Sequence, residues 1–330
     1  MQDYAVIGDA HNKPSSMDRC EELFAMVEEL GKPTIWLGDV EDTKEVIRGR
    51  VQNAWLRYFQ RSKLQHFVLV GNHDYFNLDC DDHALEVFKL LPNVTVIDAP
   101  FEHDGMVFIP YMHDLEKLRA VLAKYQDPNK TLVGHLEIKE FDFGNGHICT
   151  GGLTLDDVAG FRRVISGHFH KYQTQGNLTY LGTPFSHSFG ETDQEKYVGL
   201  YDPSKDLLRK AATPFPRHMT KEFDCDLLDE NLSHMIFNFD EINQKNFYRV
   251  ILTGTQTNID RFPRYIYDEG GTHGKMNIKW ITRPSDHAEN DIQIEDTVSN
   301  EVQFTKWATE VKSMDEETVK LGLAIMGAFK

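Results

Sequence analysis

Short apolar runs alternate with longer amphipathic ones over the first two-thirds of the chain, the signature of a layered α/β domain. The runs predict strands over residues 4–7, 34–37, 67–70, 94–96, 107–109, 131–133, 163–166, 178–181 and 197–201. Between the first two, Cys20, Leu23, Phe24, Val27 and Leu30 recur at helical spacing. Asp18 and Glu21 fit a capping box there, and Gly31 then Pro33 supply the stop. A second helix is expected to open at Thr43 and pass through Val46, Ile47, Val51, Trp55 and Phe59, with a third over residues 82–91.

Beyond about Asp202 the texture changes. A Pro-containing stretch leads to strand-like runs over residues 247–253 and 276–281, which bracket a polar segment with a short helix over 258–267; this reads as a small α+β domain. An acidic, apolar-poor stretch over 286–301 precedes two helical patterns, 302–311 and 316–329. The expected domains are therefore 1–205, 206–285 and 286–330.

Composition narrows the picture. The 330 residues are 40% hydrophobic and 26% charged, which suits an ordinary globular protein and excludes global disorder. The four cysteines are scattered without a C-x-x-C pair, so they suggest neither a disulfide framework nor a thiolate zinc site, and the cytoplasm is the expected location. No apolar run approaches the length of a membrane span. The net charge is −17, with neither 1–205 nor 206–330 basic, which argues against strong unaided binding to nucleic acid.

Five of the predicted strands end in glycine followed by a metal-binding side chain: Gly8-Asp9, Gly38-Asp39, Gly71-Asn72, Gly134-His135 and Gly167-His168. Near-continuous apolar strands are buried on both faces, and α/β sheets carry functional groups at strand carboxyl ends. Glycine lets the chain turn there and lets neighbouring strand ends approach closely. Asp9-x-His11 and His168-x-His170 each add a second ligand on the same side of an extended chain. Asp9, His11, Asp39, Asn72, His135, His168 and His170 combine carboxylate, amide oxygen and imidazole, a mixture that suits divalent metals such as Mn²⁺. Seven ligands exceed one tetrahedral site and fit two ions sharing a carboxylate, the clamp used in phosphoester hydrolysis. One such junction reads as a turn. Five in order, each behind a strand, read as a site.

In order, Asp9-x-His11, Gly38-Asp39-x-x-Asp42, Gly71-Asn72-His73-Asp74, Gly134-His135 and Gly167-His168-x-His170 resemble the five motifs of the calcineurin-like metallophosphoesterases. Within that superfamily the chain is similar to the SbcD/Mre recombination and repair nucleases, most closely to those of T-even-like phages. The added likeness lies in Ile109-Pro110-Tyr111, Gly134-His135-Leu136-Glu137, Gly167-His168-Phe169-His170 and Tyr180-Leu181-Gly182-Thr183-Pro184. It covers about residues 1–205, and the remainder matches in layout alone.

The resemblance implies a four-layer αββα metallophosphoesterase sandwich, with a small α+β capping domain for DNA recognition and C-terminal helices. It places one metal on Asp9, His11, Asp39 and His170 and the second on Asp39, Asn72, His135 and His168, with Asp39 shared and Mn²⁺ or Mg²⁺ as the ion. His73 would act at the scissile phosphate with Asp74 orienting its ring, while Asp42 falls where some members have His. The implied activity is exonuclease and endonuclease cleavage of DNA in recombination and double-strand-break repair, beside an SbcC-type SMC-like ATPase and in the host bacterial cytoplasm for a phage-encoded chain.

The ATPase would dock on Phe304, Trp307, Val311, Val319 and Leu323, whose competing reading is an intramolecular helical hairpin. A homodimer would pack through helices in 43–60 and 82–91, with Trp55, Tyr58 and Phe59 as anchors unless they serve the core. Arg48, Arg50, Arg57, Arg61, Lys63 and the pair Arg162-Arg163 read as a solvated face or as DNA contacts. Phosphatases and dinucleotide hydrolases of the superfamily differ at Asn12, Thr43 and Asp74. The alternatives are a small-molecule phosphodiesterase or phosphatase, and a DNA-end-binding scaffold with weak catalysis.

Overall fold

Parallel strands from two stacked sheets bring their carboxyl ends to one edge. The computed structural model describes residues 2–42, 46–227, 246–259 and 276–283, together with Ala308, Asp315, Thr318, Val319, Lys320 and Leu323. Contacts divide the chain into two compact units, and both six-stranded sheets lie in the unit that holds Met1–Lys221.

The first sheet has the order β12-β11-β1-β2-β3-β4. Strands β1 (Tyr4–Ile7), β2 (Thr34–Trp36), β3 (His66–Leu69) and β4 (Val94–Ile97) are parallel, while β11 (Tyr197–Asp202) and β12 (Leu207–Ala212) add an antiparallel edge. The second sheet has the order β5-β6-β7-β8-β10-β9. In it β6 (Met106–Ile109), β7 (Thr131–His135), β8 (Arg163–Gly167) and β10 (Leu178–Tyr180) are parallel, and the short β5 (Phe101–His103) and β9 (Gln173–Gln175) close the edges.

Buried residues of the two sheets meet face to face: Val6, Ile35, Leu37, Phe67 and Leu69 from the first against Phe108, Val133 and Ile165 from the second. The opposite face of the first sheet is covered by α1 (Met17–Leu30) and α2 (Gly49–Arg61), and that of the second by α3 (Leu115–Tyr125) and α4 (Leu155–Val158). This is the expected αββα sandwich. Helix α1 ends as its sequence demands, with Gly31 left-handed at φ 61° and its N–H on the Glu28 carbonyl. Its N-cap is Ser16, so Asp18 sits inside the first turn, where a carboxylate complements the helix dipole.

Several expectations are corrected. Helix α2 opens at Gly49, because Arg48 is extended and Val46 and Ile47 are 58% and 47% exposed, with no core to hold them in a helix; Thr43, the expected start, lies outside the described residues. Over residues 82–91 a 3₁₀ turn, Glu86–Leu90, replaces an α-helix; the His83 ring takes the Leu85 N–H, which diverts it from a helical ladder. Helix α3 was not anticipated, although Asp114 caps it by accepting from the Glu116 and Lys117 amides. The first sheet runs on through Ala212, past residue 205.

Trp55, Tyr58 and Phe59 are buried in the chain's own core. Phe24 stacks on Tyr58 with centroids 4.1 Å apart, and Trp36 meets Trp55 edge-on at 4.9 Å. They are core aromatics and not dimer anchors, and truncating one would cost about 3–5 kcal/mol. The outward side of α2 carries Arg50, Arg57 and Arg61. Arg162 and Arg163 turn back to Asp206 in the turn after β11, Arg163 Nε donating at 2.7 Å, so internal ion pairing replaces the DNA contact considered for them.

Strands β13 (His218–Asp224), β14 (Phe247–Thr255) and β15 (Met276–Arg283) form a three-stranded sheet in that order, and α5 (Gln256–Ile259) follows β14. Thr318–Lys320 and Leu323 are helical, with Val319 buried and Leu323 half-buried, whereas Phe304, Trp307 and Val311 lie outside the described residues. No helix among the described residues is long and apolar enough to cross a membrane.

Candidate metal centre

The register explains why the ligands converge. Ile7 pairs with Trp36 and Trp36 with Val68 in the first sheet, while His135 pairs with Gly167 in the second. Asp9, Asp39 and Asn72 therefore follow adjacent strands at the same level, opposite His135 and His168. The glycines permit this approach: a Cβ on Gly71 would collide with the Asp39 carboxylate, and one on Gly167 with Asp9 Oδ1. Three ligands hold left-handed backbone, His11 at φ 40°, Asp39 at 48° and His168 at 91°. Such non-glycine conformations cost about 1–3 kcal/mol each and persist where surrounding structure fixes them, commonly at functional sites.

All seven expected ligands come together. Asp39 Oδ2 lies 3.5 Å from His11 Nε2 and 3.5 Å from His135 Nε2, between the two groups, while its Oδ1 accepts from the His73 amide at 2.8 Å. On one side His11 Nε2 and His170 Nε2 converge to 3.0 Å, and Asp9 stands with them. On the other, Asn72 Oδ1 is 2.9 Å from both His135 Nε2 and His168 Nδ1. The outward ring nitrogens are held: His135 Nδ1 donates to the Leu37 carbonyl at 2.8 Å, and His170 Nδ1 donates to Glu191 at 2.9 Å. Each ring thus keeps its Nε2 lone pair for the centre, the usual arrangement of metal-binding histidine. His168 Nε2 faces Glu137 at 3.5 Å.

The electrostatics call for cations. Asp9 is fully buried, accepts from the His168 amide through Oδ2, and has no partner at Oδ1. Burial, reinforced by the Asp39 charge, pushes its carboxyl well above the usual range. Burial drives His11 well below the normal imidazole value and His135 to about 4, so both rings are neutral, as ligands must be. An orphaned buried oxygen, two adjacent carboxylates and neutral imidazoles aimed at the same space fit a pair of divalent ions.

His73 lines the same cavity, of about 540 Å³, beside Lys13 and His187. The carboxylate on its Nδ1 is that of Asp42, at 3.1 Å, and the hydrogen bond from His73 holds Asp42 down at about 2. The ring-orienting role expected of Asp74 therefore falls to Asp42. Asp74 accepts from the Gly71 amide at 2.9 Å and the Glu41 amide at 3.2 Å, which ties the β3 loop to the β2 loop. Burial pushes Asp74 well above the carboxylate range.

Glu191 was also missed. Burial alone would raise it, but the His170 hydrogen bond and the Lys196 ammonium at 2.6 Å keep it well below the usual value. It lies in a 3₁₀ turn after β10, where no periodicity marks it. His187, whose imidazole burial lowers to about 3, carries no motif signal either.

Comparison with known proteins agrees with this geometry. Residues 3–172 match the calcineurin-like phosphoesterase family. The chain is 28% identical over 181 residues to exonuclease subunit 1 of Enterobacteria phage T4, covering 51% of this chain and 53% of that protein. It is 28% identical over 184 residues to a protein of Invertebrate iridescent virus 3 named as a phosphoesterase, covering 52% of each. A phosphoesterase-named protein of Invertebrate iridescent virus 6 is 26% identical over 204 residues, covering 57% of this chain and 71% of that one. The chain spans about half the length of the first two.

Proposed function

This chain belongs to the calcineurin-like phosphoesterase family, and on that premise we propose that it is a two-metal nuclease hydrolysing DNA phosphodiesters. The observation that carries the reading is Asp39 Oδ2, set 3.5 Å from an imidazole of each ligand group beside the partnerless Asp9 oxygen. Asp9, His11, Asp39 and His170 would hold one ion, and Asp39, Asn72, His135 and His168 the other; Mn²⁺ suits the mixed N and O donors, with Mg²⁺ as the alternative. Bound there, divalent ions supply Lewis acidity and an activated water. His73, its ring fixed by Asp42, stands at the cavity to stabilise phosphoryl charge or to protonate the leaving oxygen. Glu191 and the Leu37 carbonyl keep the ligating rings in register.

DNA as substrate is supported by the phage relative named as an exonuclease subunit and by exposed Arg48, Arg50, Arg57, Arg61 and Lys63 on and beside α2. A role in recombination and break repair with an SbcC-type ATPase, docked through the C-terminal segment 286–330, belongs to the same proposal, as do a nuclease domain that extends past residue 205 to take in β12, a capping domain over the rest of 206–285 and action in the bacterial cytoplasm. Val46, Ile47 and Leu90, each 47% or more exposed in or beside the 43–60 and 82–91 segments, support a homodimer there. The test is incubation of the pure protein and Mn²⁺ with end-labelled duplex DNA and, separately, bis(p-nitrophenyl) phosphate, comparing wild type with His73→Ala. DNA cleavage lost in the variant is expected. Robust turnover of the small diester with no DNA cleavage would replace the reading with that of a small-molecule phosphodiesterase.

A further inference from the structure

Three titratable side chains that line the metal cavity, Lys13, His187 and Glu191, belong to none of the five motifs; Lys13 pairs with Asp42 at 3.6 Å, and Glu191 with His170 and Lys196. His187 lines the cavity from the loop after Phe185, and both of its ring nitrogens are buried without a hydrogen-bond partner. A neutral imidazole has one donor and one acceptor, and leaving such a buried group unpaired costs about 1–3 kcal/mol. His66 and His218, also buried, avoid that cost. His66 meets the Trp36 indole at 3.3 Å and the Ser62 hydroxyl at 2.9 Å, and His218 meets the Ser186 hydroxyl at 2.7 Å.

The position of His187 is specific. Its ring stands edge-on to His11, with centroids 5.4 Å apart and planes at 89°, and lies 5.8 Å from His170, so it borders the first-metal side. Phe185 backs it at 4.9 Å. It stands outside the seven residues that the motifs bring to the centre. A ring beside the ligands that lines the cavity and lacks a protein partner at either nitrogen fits an acceptor that arrives with the substrate.

We propose that His187 is a phosphoryl-contacting catalytic residue, its N–H donating to a non-bridging oxygen of the phosphodiester as charge builds there. The contribution is electrostatic: no bond to His187 forms or breaks, and the ring stays neutral. It supplements His73, whose ring also borders His11, with centroids 4.6 Å apart. The inference rests on the phosphodiester reading of the same site but not on DNA as the substrate.

The experiment compares wild type, His187→Ala, His187→Phe and His187→Asn, each with Mn²⁺, on bis(p-nitrophenyl) phosphate and on duplex DNA. Calorimetry adds Mn²⁺ stoichiometry and binding of inorganic phosphate to the Mn²⁺-loaded protein. Loss of a preorganised donor to a developing oxyanion lowers kcat about 10²–10³-fold. That loss is expected in the Ala and Phe variants, with KM changing far less, Mn²⁺ stoichiometry intact and phosphate binding weakened. His187→Asn, which retains an N–H donor, should recover part of both.

Unchanged kcat in Ala and Phe overturns the proposal, as does a loss that Asn shares fully or that follows lost metal. His187→Phe fills the volume, so it decides the matter should the Ala variant not fold. Small-diester turnover that depends on His187 without DNA cleavage defeats the DNA reading and leaves His187 in place. If wild type hydrolyses neither substrate, the phosphodiesterase reading fails, and phosphate binding across the variants still decides the role of His187.

Discussion

Among the described residues, two places gather histidine and carboxylate atoms of three or more residues within 4.8 Å of one another, and they are chemical opposites. At the strand ends Asp9, Asp39 and His135 are buried, no lysine or arginine among the described residues pairs with either carboxylate, and Asp9 Oδ1 has no donor. At His83, Glu86 and Asp98 the Lys89 ammonium already lies 2.6 Å from both carboxylates, and the Leu85 amide occupies His83 Nδ1. The second cluster is a half-exposed ion-pair network complete in itself. Proximity of ligand-type residues therefore does not make a metal site; uncompensated buried acceptors with neutral imidazoles do.

The comparison breaks most sharply at Asp39. Asp39→Ala removes the oxygen proposed to be shared, and activity should fall on the order of 10³-fold or more with loss of Mn²⁺ stoichiometry in calorimetry. Asp98→Ala should change neither. Next in size is His73→Ala, expected to lower kcat about 10²–10⁴-fold with both ions still bound. A metal-bound but fully active variant would remove His73 from the chemistry. Glu191→Gln weakens the hold on His170 and should lower metal affinity about 10–100-fold, read by Mn²⁺ titration.

Metal binding should also depend on pH. Because burial raises Asp9, the metal-free protein holds a proton there in mildly acidic solution that a cation must displace. Mn²⁺ affinity should therefore rise with pH, and calorimetry in buffers of different ionisation enthalpy near pH 5.5 should show proton release; no release would contradict the assignment. The smallest effect is expected at the other cluster, where Lys89→Met should shift stability by at most about 1 kcal/mol in urea unfolding, as surface ion pairs do.

Much of this was legible in the sequence because the strand signal and the ligand signal coincide. Ile7-Gly8-Asp9 and Val70-Gly71-Asn72 each announce a buried strand, a close approach and a donor in a few residues. Helix α3 was also readable, through Asp114 and the spacing of Leu118 and Leu122, but no such pattern fixes where α2 begins. Glu191 and His187, and the ring-orienting role of Asp42, which the second motif names without one, escaped for a different reason. Their roles depend on which ring they face across the fold, and loop residues carry no periodicity to reveal that. Asp74 shows the same limit: adjacent to His73 in sequence, it serves the backbone of two loops instead.

Anomalous diffraction at the manganese edge, from crystals grown with Mn²⁺, tests the central claim most directly. The account predicts two peaks flanking Asp39 Oδ2, one among Asp9, His11 and His170 and the other among Asn72, His135 and His168, with none at His83. No peak beside Asp39, or a peak at the His83 cluster alone, would contradict it.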